Sequence, residues 1–281
     1  MGKVREVMRS VTVASNFDRS QIPNSEIYQE RLIGELERRL IPEAIEAINE
    51  TKKAIAAVAR DDKPLALKSL QRAVEQLNTI LACDLDLALL PTDYAIEVVD
   101  TGLENEKIIR EIRRDIRLAI KFGYLAEARR LIDSLASEIR VTVTDLPLAG
   151  YLDALQRAIA AIARDRNKLA QRILKSALAT LVLEEEYLPI PILKARSLIE
   201  SARVQNDRQI AMQLLTDARK QLRLSHELGY GEADLEYDEL RSKLIDLEKQ
   251  LQAREHDHHN FRELKTKIAS FLQRASKAES H

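Results

Sequence analysis

Glycine and proline are scarce in this sequence, since each occurs only seven times among 281 residues. Tryptophan is absent, and aromatic residues make up 4% of the chain. Few turns are therefore encoded, and the abundance of Ala, Leu, Glu, Lys and Arg favours helices. So little glycine also disfavours a phosphate-binding loop, and the sequence carries none of the common nucleotide, hydrolase or metalloprotease motifs. We therefore expect a mainly helical protein that is not an enzyme and needs no cofactor.

Cysteine, excess charge and long apolar runs are lacking as well. Cys83 is the single cysteine, which excludes an internal disulfide and a four-thiolate zinc site. We expect Cys83 to pack as a small apolar side chain in a helix. With 44 basic and 45 acidic residues, the strong basic field of nucleic-acid-binding proteins is missing. The apolar runs fall far short of the about 20 residues that a membrane span needs. No apolar signal-peptide segment is visible, so the expected location is the cytoplasm.

The sequence contains a long internal repeat. Residues 54–77 and 158–181 align without a gap, and both begin Ala-Ile-Ala-Ala. In the first copy, one helical stripe carries small and large residues in alternation, which lets a partner helix approach closely and interlock. This stripe contains Ala66, Leu70, Ala73 and Leu77, and similar stripes run through Ala128, Ile132, Leu135 and Ile139, from Ala170 to Leu181, and through Ala211, Leu215, Ala218 and Leu222.

Each stripe follows a polar or glycine-containing turn, and another apolar stripe precedes that turn. The predicted fold is therefore all-α, with repeated antiparallel helical hairpins packed as a bundle or short solenoid and a C-terminal helical extension. The predicted organisation is a partly helical N-terminal segment over 1–40, a helical domain over 41–252, and a His-containing linker with an amphipathic helix over 253–281. Self-association is expected because the stripes leave more apolar surface than one layer covers.

Three short stretches interrupt the helical pattern. Residues 141–144 are β-branched in a row, which suits an extended connector. Residues 186–191 include Pro189 and Pro191, so an extended segment should precede a helix that Pro191 opens. Residues 228–231 contain Gly229, which fits a helix C-cap with positive φ.

These interruptions lie in segments that resemble the YfdX family of bacterial proteins. The segments are TDLPLAGYLDALQRAIA at 144–160, LATLVLEEEYLPIPILKARSLIESA at 178–202 and ARKQLRLSHELGYG at 218–231. The resemblance covers roughly residues 45–250. It implies an all-helical fold, assembly into homo-oligomers, and an association with bacterial stress tolerance, including heat and acid. It implies no catalytic residues.

The same segments supply candidate site residues. Tyrosines beside prolines and glycines often pack a corner and form a hydrogen bond with a loop, which is the structural interpretation. The functional interpretation is a ligand pocket formed where the segments converge. Its candidate residues are Leu146, Pro147, Leu148, Tyr151, Tyr187, Pro189, Pro191, Gly229, Tyr230 and Gly231.

Three charged or polar clusters complete the candidates. His256, His258 and His259 form either a polar linker or a weak metal site, because imidazoles at helical spacing bind Zn, Ni or Cu. The run 184–186 is three glutamates, which suits a solvated loop or helix end, or an acid–base pair. The basic residues Lys107, Arg110, Arg113, Arg114 and Arg117 form either an ion-paired helix face or an anion- or nucleic-acid-binding ridge.

Three functional hypotheses follow. The first is a non-enzymatic stress protein of the YfdX type, a homo-oligomer that binds protein partners or clients. The second is a sensor of a small ligand or a metal ion. The third, disfavoured by the missing motifs, is an unrecognised enzyme. Nucleic acid is not an expected partner, and no membrane span is expected.

Overall fold

The computed structural model describes residues 25–83, 88–231, 234, 236–253 and 258–277. Within these residues lie eleven helices and three strands. The helices are α1 (Ser25–Arg39), α2 (Pro42–Ala59), α3 (Lys63–Cys83), α4 (Glu106–Lys121), α5 (Leu125–Asp133), α6 (Leu148–Ala163), α7 (Asn167–Ala179), α8 (Ile190–Val204), α9 (Arg208–Leu228), α10 (Tyr237–Gln252) and α11 (His258–Lys277). The strands are β1 (Leu89–Asp100), β2 (Ser137–Pro147) and β3 (Val182–Pro189).

A small sheet corrects the all-α prediction. Its strands lie in the order β1-β2-β3. β1 and β2 are antiparallel, since the Thr101 N–H donates to the Ala136 carbonyl whereas the Thr92 hydroxyl donates to the Thr144 carbonyl. The residues predicted as extended connectors belong to β2 and β3, and β1 was not predicted. Helical stripes report on local periodicity, whereas a sheet depends on pairing between distant segments, so the stripes did not reveal it.

The described residues divide into two compact units, each with its own hydrophobic core. We call Ile27–Ala95 with Thr142–Glu185 the repeat unit, because it contains both copies of the sequence repeat. The described parts of Met1–Glu26, Ile96–Val141 and Glu186–His281 form the cleft unit, named for the cleft described below. The chain passes from one unit to the other within each of the three strands.

Four helices that carry the sequence repeat form the core of the repeat unit. α2 packs against α3 and α7, and α6 packs against α7 and α3. At three corresponding positions the two copies have matching burial, because each copy turns the same stripe inward. These fully or almost fully buried residues are Ala66, Leu70 and Ala73 in α3 and Ala170, Leu174 and Ala177 in α7. The match ends at the last position of the stripe, since Leu77 is fully buried in α3 whereas Leu181 is partly buried and lies beyond the end of α7.

The turns of the two copies also match. Asp61 and Asp165 occupy corresponding positions, and both adopt the left-handed conformation, with φ of 59° and 56°. Aspartate is one of the few residues other than glycine that tolerates this conformation. Each carboxylate accepts a hydrogen bond from the other copy, Asp165 from Lys63 Nζ and Asp61 from Asn167 Nδ2, both at 2.6 Å. Lys63 and Asn167 are themselves corresponding residues, so the two contacts are reciprocal.

α8, α9, α10 and α11 form most of the core of the cleft unit. α8 packs against α9, and α10 and α11 pack against this pair and against each other. The predicted stripe of α9 is buried at Ala211, Leu215, Ala218 and Leu222. The C-terminal amphipathic helix packs inside this unit, with Phe261, Leu264, Ile268, Phe271 and Leu272 all buried.

The predicted stripe that begins at Ala128 does not form one continuous helix face. α5 ends at Asp133, Ile139 lies in β2, and the Ile132 side chain is exposed. β2 starts at Ser137, so Leu135 lies in the connection between α5 and β2. Strand pairing overrides the helical spacing at these residues.

In the cleft unit, the start of α8 and the end of α9 have the proline and glycine that the sequence predicted for them. Pro191 lies in the first turn of α8, where its missing N–H costs nothing. α9 ends at Leu228, and Gly229 follows it with φ of 106°. Gly231 also has positive φ, and a Cβ there would lie 2.6 Å from the Phe271 ring. No described helix has the length and apolar character to cross a membrane.

Candidate functional site

A cleft of about 480 Å³ opens in the cleft unit. Its lining residues come from α4 and α5, from the residues after α5, from β2 and β3, and from the end of α9 with the turn after it. The lining combines arginine, tyrosine and aliphatic side chains. It consists of Arg113, Ile116, Arg117, Ile132, Asp133, Leu135, Ala136, Glu138, Arg140, Tyr187, Leu228 and Tyr230.

A buried hydrogen-bond network fixes one wall of this cleft. The Tyr230 hydroxyl accepts from the Ser137 N–H at 2.8 Å and donates to Glu138 Oε2 at 2.9 Å. The Ser137 hydroxyl in turn donates to Asp100 Oδ1 at 2.9 Å. Glu138 is only 4% exposed, so its charge depends on these partners rather than on water. The network attaches the turn after α9 to the start of β2.

Arg140 balances the buried carboxylate of Glu138. Its Nε donates to Glu138 Oε1 at 2.7 Å, and its Nη1 lies 3.8 Å from Glu97 Oε2. Partial burial opposes the charge of Arg140, but the two carboxylates outweigh it and raise the pKa of the guanidinium. The guanidinium carbon lies 6.0 Å from the centre of the Tyr187 ring, within cation–π range. Arg140 is therefore held in one orientation at the cleft wall.

Local sequence explains why these side chains meet. β2 alternates between buried Ile139, Val141 and Val143 and partly buried Arg140, Thr142 and Thr144, so Arg140 faces away from the core. Gly229 ends α9 with positive φ, and this sharp turn brings Tyr230 back to the start of β2.

The structure brings together two of the predicted tyrosines. Tyr187 and Tyr230 line the cleft, whereas Tyr151 lies fully buried in the core of the repeat unit. Tyr151 has no hydrogen-bond partner for its hydroxyl among the described residues. Burial raises its pKa to about 12, with an opposing effect from the nearby Thr51 hydroxyl.

Four other family-motif residues lie outside the lining of the cleft. Leu146 and Leu148 are buried in the core of the repeat unit, and Pro147 lines a groove between α6 and α7 there. Pro189 ends β3, where it is buried just before α8. None of the three residues at 146–148 lines the cleft.

The basic stretch of α4 divides between ion pairs and the cleft. Arg110 pairs with Glu106 at 3.0 Å, and Arg114 pairs with Asp115 at 3.4 Å. Arg113 and Arg117 line the cleft instead, and Arg113 Nη1 donates to the Glu227 carbonyl at 3.2 Å. The ion-paired interpretation therefore holds for Arg110 and Arg114, while Arg113 and Arg117 line the cleft.

The glutamates 184–186 lie in β3 and are exposed, which corrects the prediction of a loop or helix end. His256 lies outside the described residues, as do the side chains of His258 and His259, so the metal site stays a prediction. Within the described part of the chain, no group of three or more His, Cys, Asp or Glu side chains is arranged to hold a metal ion. Cys83 ends α3, as expected for a helical residue.

Sequence reasoning missed Glu138 and Arg140, which form an ion pair at the cleft wall. The signal was the period-two pattern of SEIRVTVT at 137–144, in which charged and apolar residues alternate. Only its second half was predicted to be extended, since the first half fell on the presumed helical stripe that ended at Ile139.

A second surface of the cleft unit stands out because it is apolar and exposed. The side chains of Phe122, Tyr124 and Leu125, at the turn from α4 into α5, are 64%, 66% and 68% exposed. Leu118 and Ile120 in α4 and Ile132 in α5 are exposed as well. We call these six residues the apolar tip. α4 packs inward through Ile109 and Ala119, which are buried near its two ends.

Comparison with known proteins gives one match to a family. The model of the YfdX protein family matches residues 47–187, which is half of the chain. This match includes the first of the three motifs and the start of the second, whereas residues 218–231 lie beyond it. No curated protein matches the sequence. One similar solved structure, that of YfdX from Salmonella Typhi, is 13% identical, covers 54% of this chain and 93% of its own, and has a TM-score of 0.39.

Proposed function

The chain belongs to the YfdX family, and we propose that it is a non-enzymatic, stress-associated protein that forms homo-oligomers and binds partner or client proteins through the apolar tip. The observation that carries this proposal is the exposure of the tip. Isolated apolar side chains are normal on a protein surface, but a contiguous group of large ones is typical of a protein–protein interface. Here six large apolar side chains are exposed within residues 118–132.

Self-association is tested by light scattering on the purified protein at micromolar concentration. We expect an oligomer for the native chain, and a shift toward monomer when Phe122, Tyr124 and Leu125 are together replaced by Ser. These residues contribute nothing to a described core, so the melting temperature should change little. The matched control replaces Val204 and Ile210 by Ser, which are exposed at the turn between α8 and α9. A monomeric native protein, or equal loss of assembly in the control, would contradict the proposal.

Client binding is tested with a heat-denatured model protein whose aggregation is followed by turbidity. The native chain should slow aggregation, and the triple-Ser variant should do so less because its tip no longer offers apolar surface. No protection at several-fold molar excess would count against client binding while leaving self-association intact.

The stress association is tested in the host. Deletion of the gene should lower survival under heat or acid, and the native chain should restore it. The triple-Ser variant, expressed at the same level, should restore survival less well. Full rescue by that variant would separate the stress role from the apolar tip. The cytoplasmic location stays a prediction.

A further inference from the structure

The two copies of the sequence repeat differ in charge. When Asp61 is aligned with Asp165, residues 43–76 of the first copy correspond to residues 147–180 of the second. The first range contains six basic and six acidic residues, whereas the second contains six basic and only two acidic residues. The charges of the first copy therefore cancel. The second copy has an excess of positive charge, although the net charge of the whole chain is −1.

Both acidic residues of the second copy are already paired. Asp153 Oδ2 lies 3.0 Å from Arg157 Nε, and Asp165 Oδ1 lies 2.6 Å from Lys63 Nζ of the first copy. Five basic side chains of the second copy are exposed and form no ion pair with any residue that the structure describes. They are Arg164, Arg166, Lys168, Arg172 and Lys175. The positive excess therefore faces the solvent.

A groove between α6 and α7 lies beside three of these charges. Lys168, Arg172 and Lys175 recur at helical spacing, so they share one face of α7, a helix without any acidic residue. Arg172 lines the groove, whose volume is about 470 Å³. Leu169 and Ile173 give the groove an aliphatic lining. An apolar surface is thus bordered by a row of cations.

In the first copy, an ion-pair network occupies the corresponding positions. Glu50 corresponds to Ala154, which lines the groove. Glu46 likewise corresponds to Gly150, which also lines it. Lys53 Nζ lies 2.6 Å from Glu50 Oε1 and 3.7 Å from Glu46 Oε1. The Glu50 side chain is only 2% exposed, so a buried carboxylate stands where the second copy has a methyl group. The first copy neutralises this surface itself, and the second does not.

From this difference we propose that the groove of the second copy binds an acidic amphipathic helix of a partner protein. The apolar side chains of that helix would pack against Leu169 and Ile173, as in other helix-in-groove interfaces. The small residues Gly150 and Ala154 allow its backbone to approach closely. Its carboxylates would pair with the cations of α7, among which Arg172 offers two parallel hydrogen bonds.

The shape of this surface favours a helix over a membrane or a nucleic acid. Membrane surfaces are bound by protruding apolar side chains. Within α6 and α7, which the structure describes in full, no large apolar side chain is exposed, so the apolar lining is recessed. A nucleic acid would engage the cations through its phosphates but would leave that lining unused. Charge and apolar surface are both matched by an acidic helix.

This binding is separate from the activities proposed for the apolar tip. The groove belongs to the repeat unit and the tip to the cleft unit, and they have no residue in common. The triple-Ser variant of the tip should therefore bind an acidic helix as the native chain does. Loss of binding in that variant would assign the helix to the tip and overturn the proposal.

The test uses a fluorescein-labelled peptide of about 18 residues, built from Ala, Leu and Glu with Leu on one helical face. Fluorescence anisotropy should show saturable binding of one peptide per chain, weakened by sodium chloride because salt screens the charges. An analogue with Lys in place of Glu, and one of the same composition in scrambled order, should each bind about tenfold more weakly or worse. Equal binding of either analogue would overturn the proposal.

A matched pair of substitutions locates the site. Arg172→Glu reverses an exposed charge in the groove and should weaken binding of the acidic peptide about tenfold or more. Lys68→Glu makes the same kind of change at the corresponding exposed position of the first copy and should have little effect. Equal weakening by the two variants would show a general charge effect and refute the site.

A second pair tests the groove by shape alone. A Cβ at Gly150 would meet no atom within 4 Å, so a larger side chain fits there without straining the fold. Gly150→Phe should obstruct the groove and weaken peptide binding, whereas Gly150→Ala should bind as the native chain does. The melting temperature of each variant confirms that it is folded. Unchanged binding by folded Gly150→Phe would contradict a helix in this groove.

Other occupants give distinct results in the same assays. Vesicles containing phosphatidylglycerol and a short DNA duplex are tested as competitors of the peptide. If either binds more tightly than the peptide and loses binding with Arg172→Glu, the surface recognises that anion and the proposal is wrong. If the peptide does not bind and Arg172→Glu instead reduces the oligomer seen by light scattering, the occupant is a second copy of this chain.

Discussion

The repeat unit and the cleft unit bury similar helix pairs in different ways. In the repeat unit two copies of one sequence pack against each other, and each supplies the surface that the other needs. The cleft unit joins unlike pieces, and nine of the twelve large, exposed apolar side chains among the described residues belong to it. The comparison teaches that the two repeat copies cover most of each other's apolar surface, whereas the cleft unit retains the exposed apolar tip and the cleft.

The buried tyrosines of the two units differ in their hydrogen bonding. In the cleft unit, the Tyr230 hydroxyl accepts from Ser137 and donates to Glu138 within one network. In the repeat unit, the Tyr151 hydroxyl is buried without a hydrogen-bond partner among the described residues. A buried polar atom without a partner lowers stability, whereas a satisfied network orders its neighbourhood. Tyr230 therefore positions the cleft wall, while Tyr151 contributes through its ring alone.

The largest effect should come from the equivalent core leucines of the repeat unit. Leu70→Ala and Leu174→Ala should each lower the free energy of unfolding by about 2–5 kcal/mol, because both side chains are fully buried. Their losses should be similar, since corresponding positions have corresponding surroundings. Urea unfolding measures both, with Leu65→Ala, at a half-exposed position, as the control that should cost far less. Losses that differ by more than about 2 kcal/mol would mean that the two copies have diverged in packing.

The second effect compares one tyrosine from each unit. Tyr230→Phe removes the partner of both the Ser137 N–H and Glu138, so unfolding free energy should fall by about 1–3 kcal/mol. Tyr151→Phe removes a hydroxyl without a partner, so stability should stay the same or rise. Both variants keep the aromatic ring, which makes them controls for each other in urea unfolding. A Tyr151→Phe loss as large as that of Tyr230→Phe would require a hydrogen bond that the described residues do not contain.

The parts of the fold that could be predicted are those determined by local periodicity. The Ala–Leu stripes of α3, α7 and α9, the Gly229 C-cap and the Pro191 start of α8 all follow from neighbours in the sequence. β1 could not be derived in this way, because the strand with which it pairs is dozens of residues away and its mixed residues have a weak pattern of their own. The start of β2 has a period-two pattern, but it overlaps the helical spacing that ends at Ile139.

The candidate site shows the same division. Two of its tyrosines were named from motifs, and Arg113 and Arg117 were named as part of a basic helix face. Glu138 and Arg140 were missed because their roles depend on the turn after α9 meeting β2, which no local pattern encodes. Tyr151 belongs to a motif of the same kind but lies in the other unit's core.

The smallest effect concerns the reciprocal contacts between the turns of the repeat unit. Lys63→Ala and Asn167→Ala each remove one contact between exposed residues, so each should lower the free energy of unfolding by less than about 1 kcal/mol. The two contacts differ in kind, since Lys63 forms an ion pair and Asn167 donates from a neutral amide. Salt screens the ion pair more strongly, so the loss for Lys63→Ala should shrink as salt is added while the loss for Asn167→Ala stays nearly constant. Unfolding in urea at low and high sodium chloride measures both. If the two losses respond equally to salt, the positive charge of Lys63 adds nothing to its contact. The correspondence between the two turns would then rest on the backbone geometry at Asp61 and Asp165.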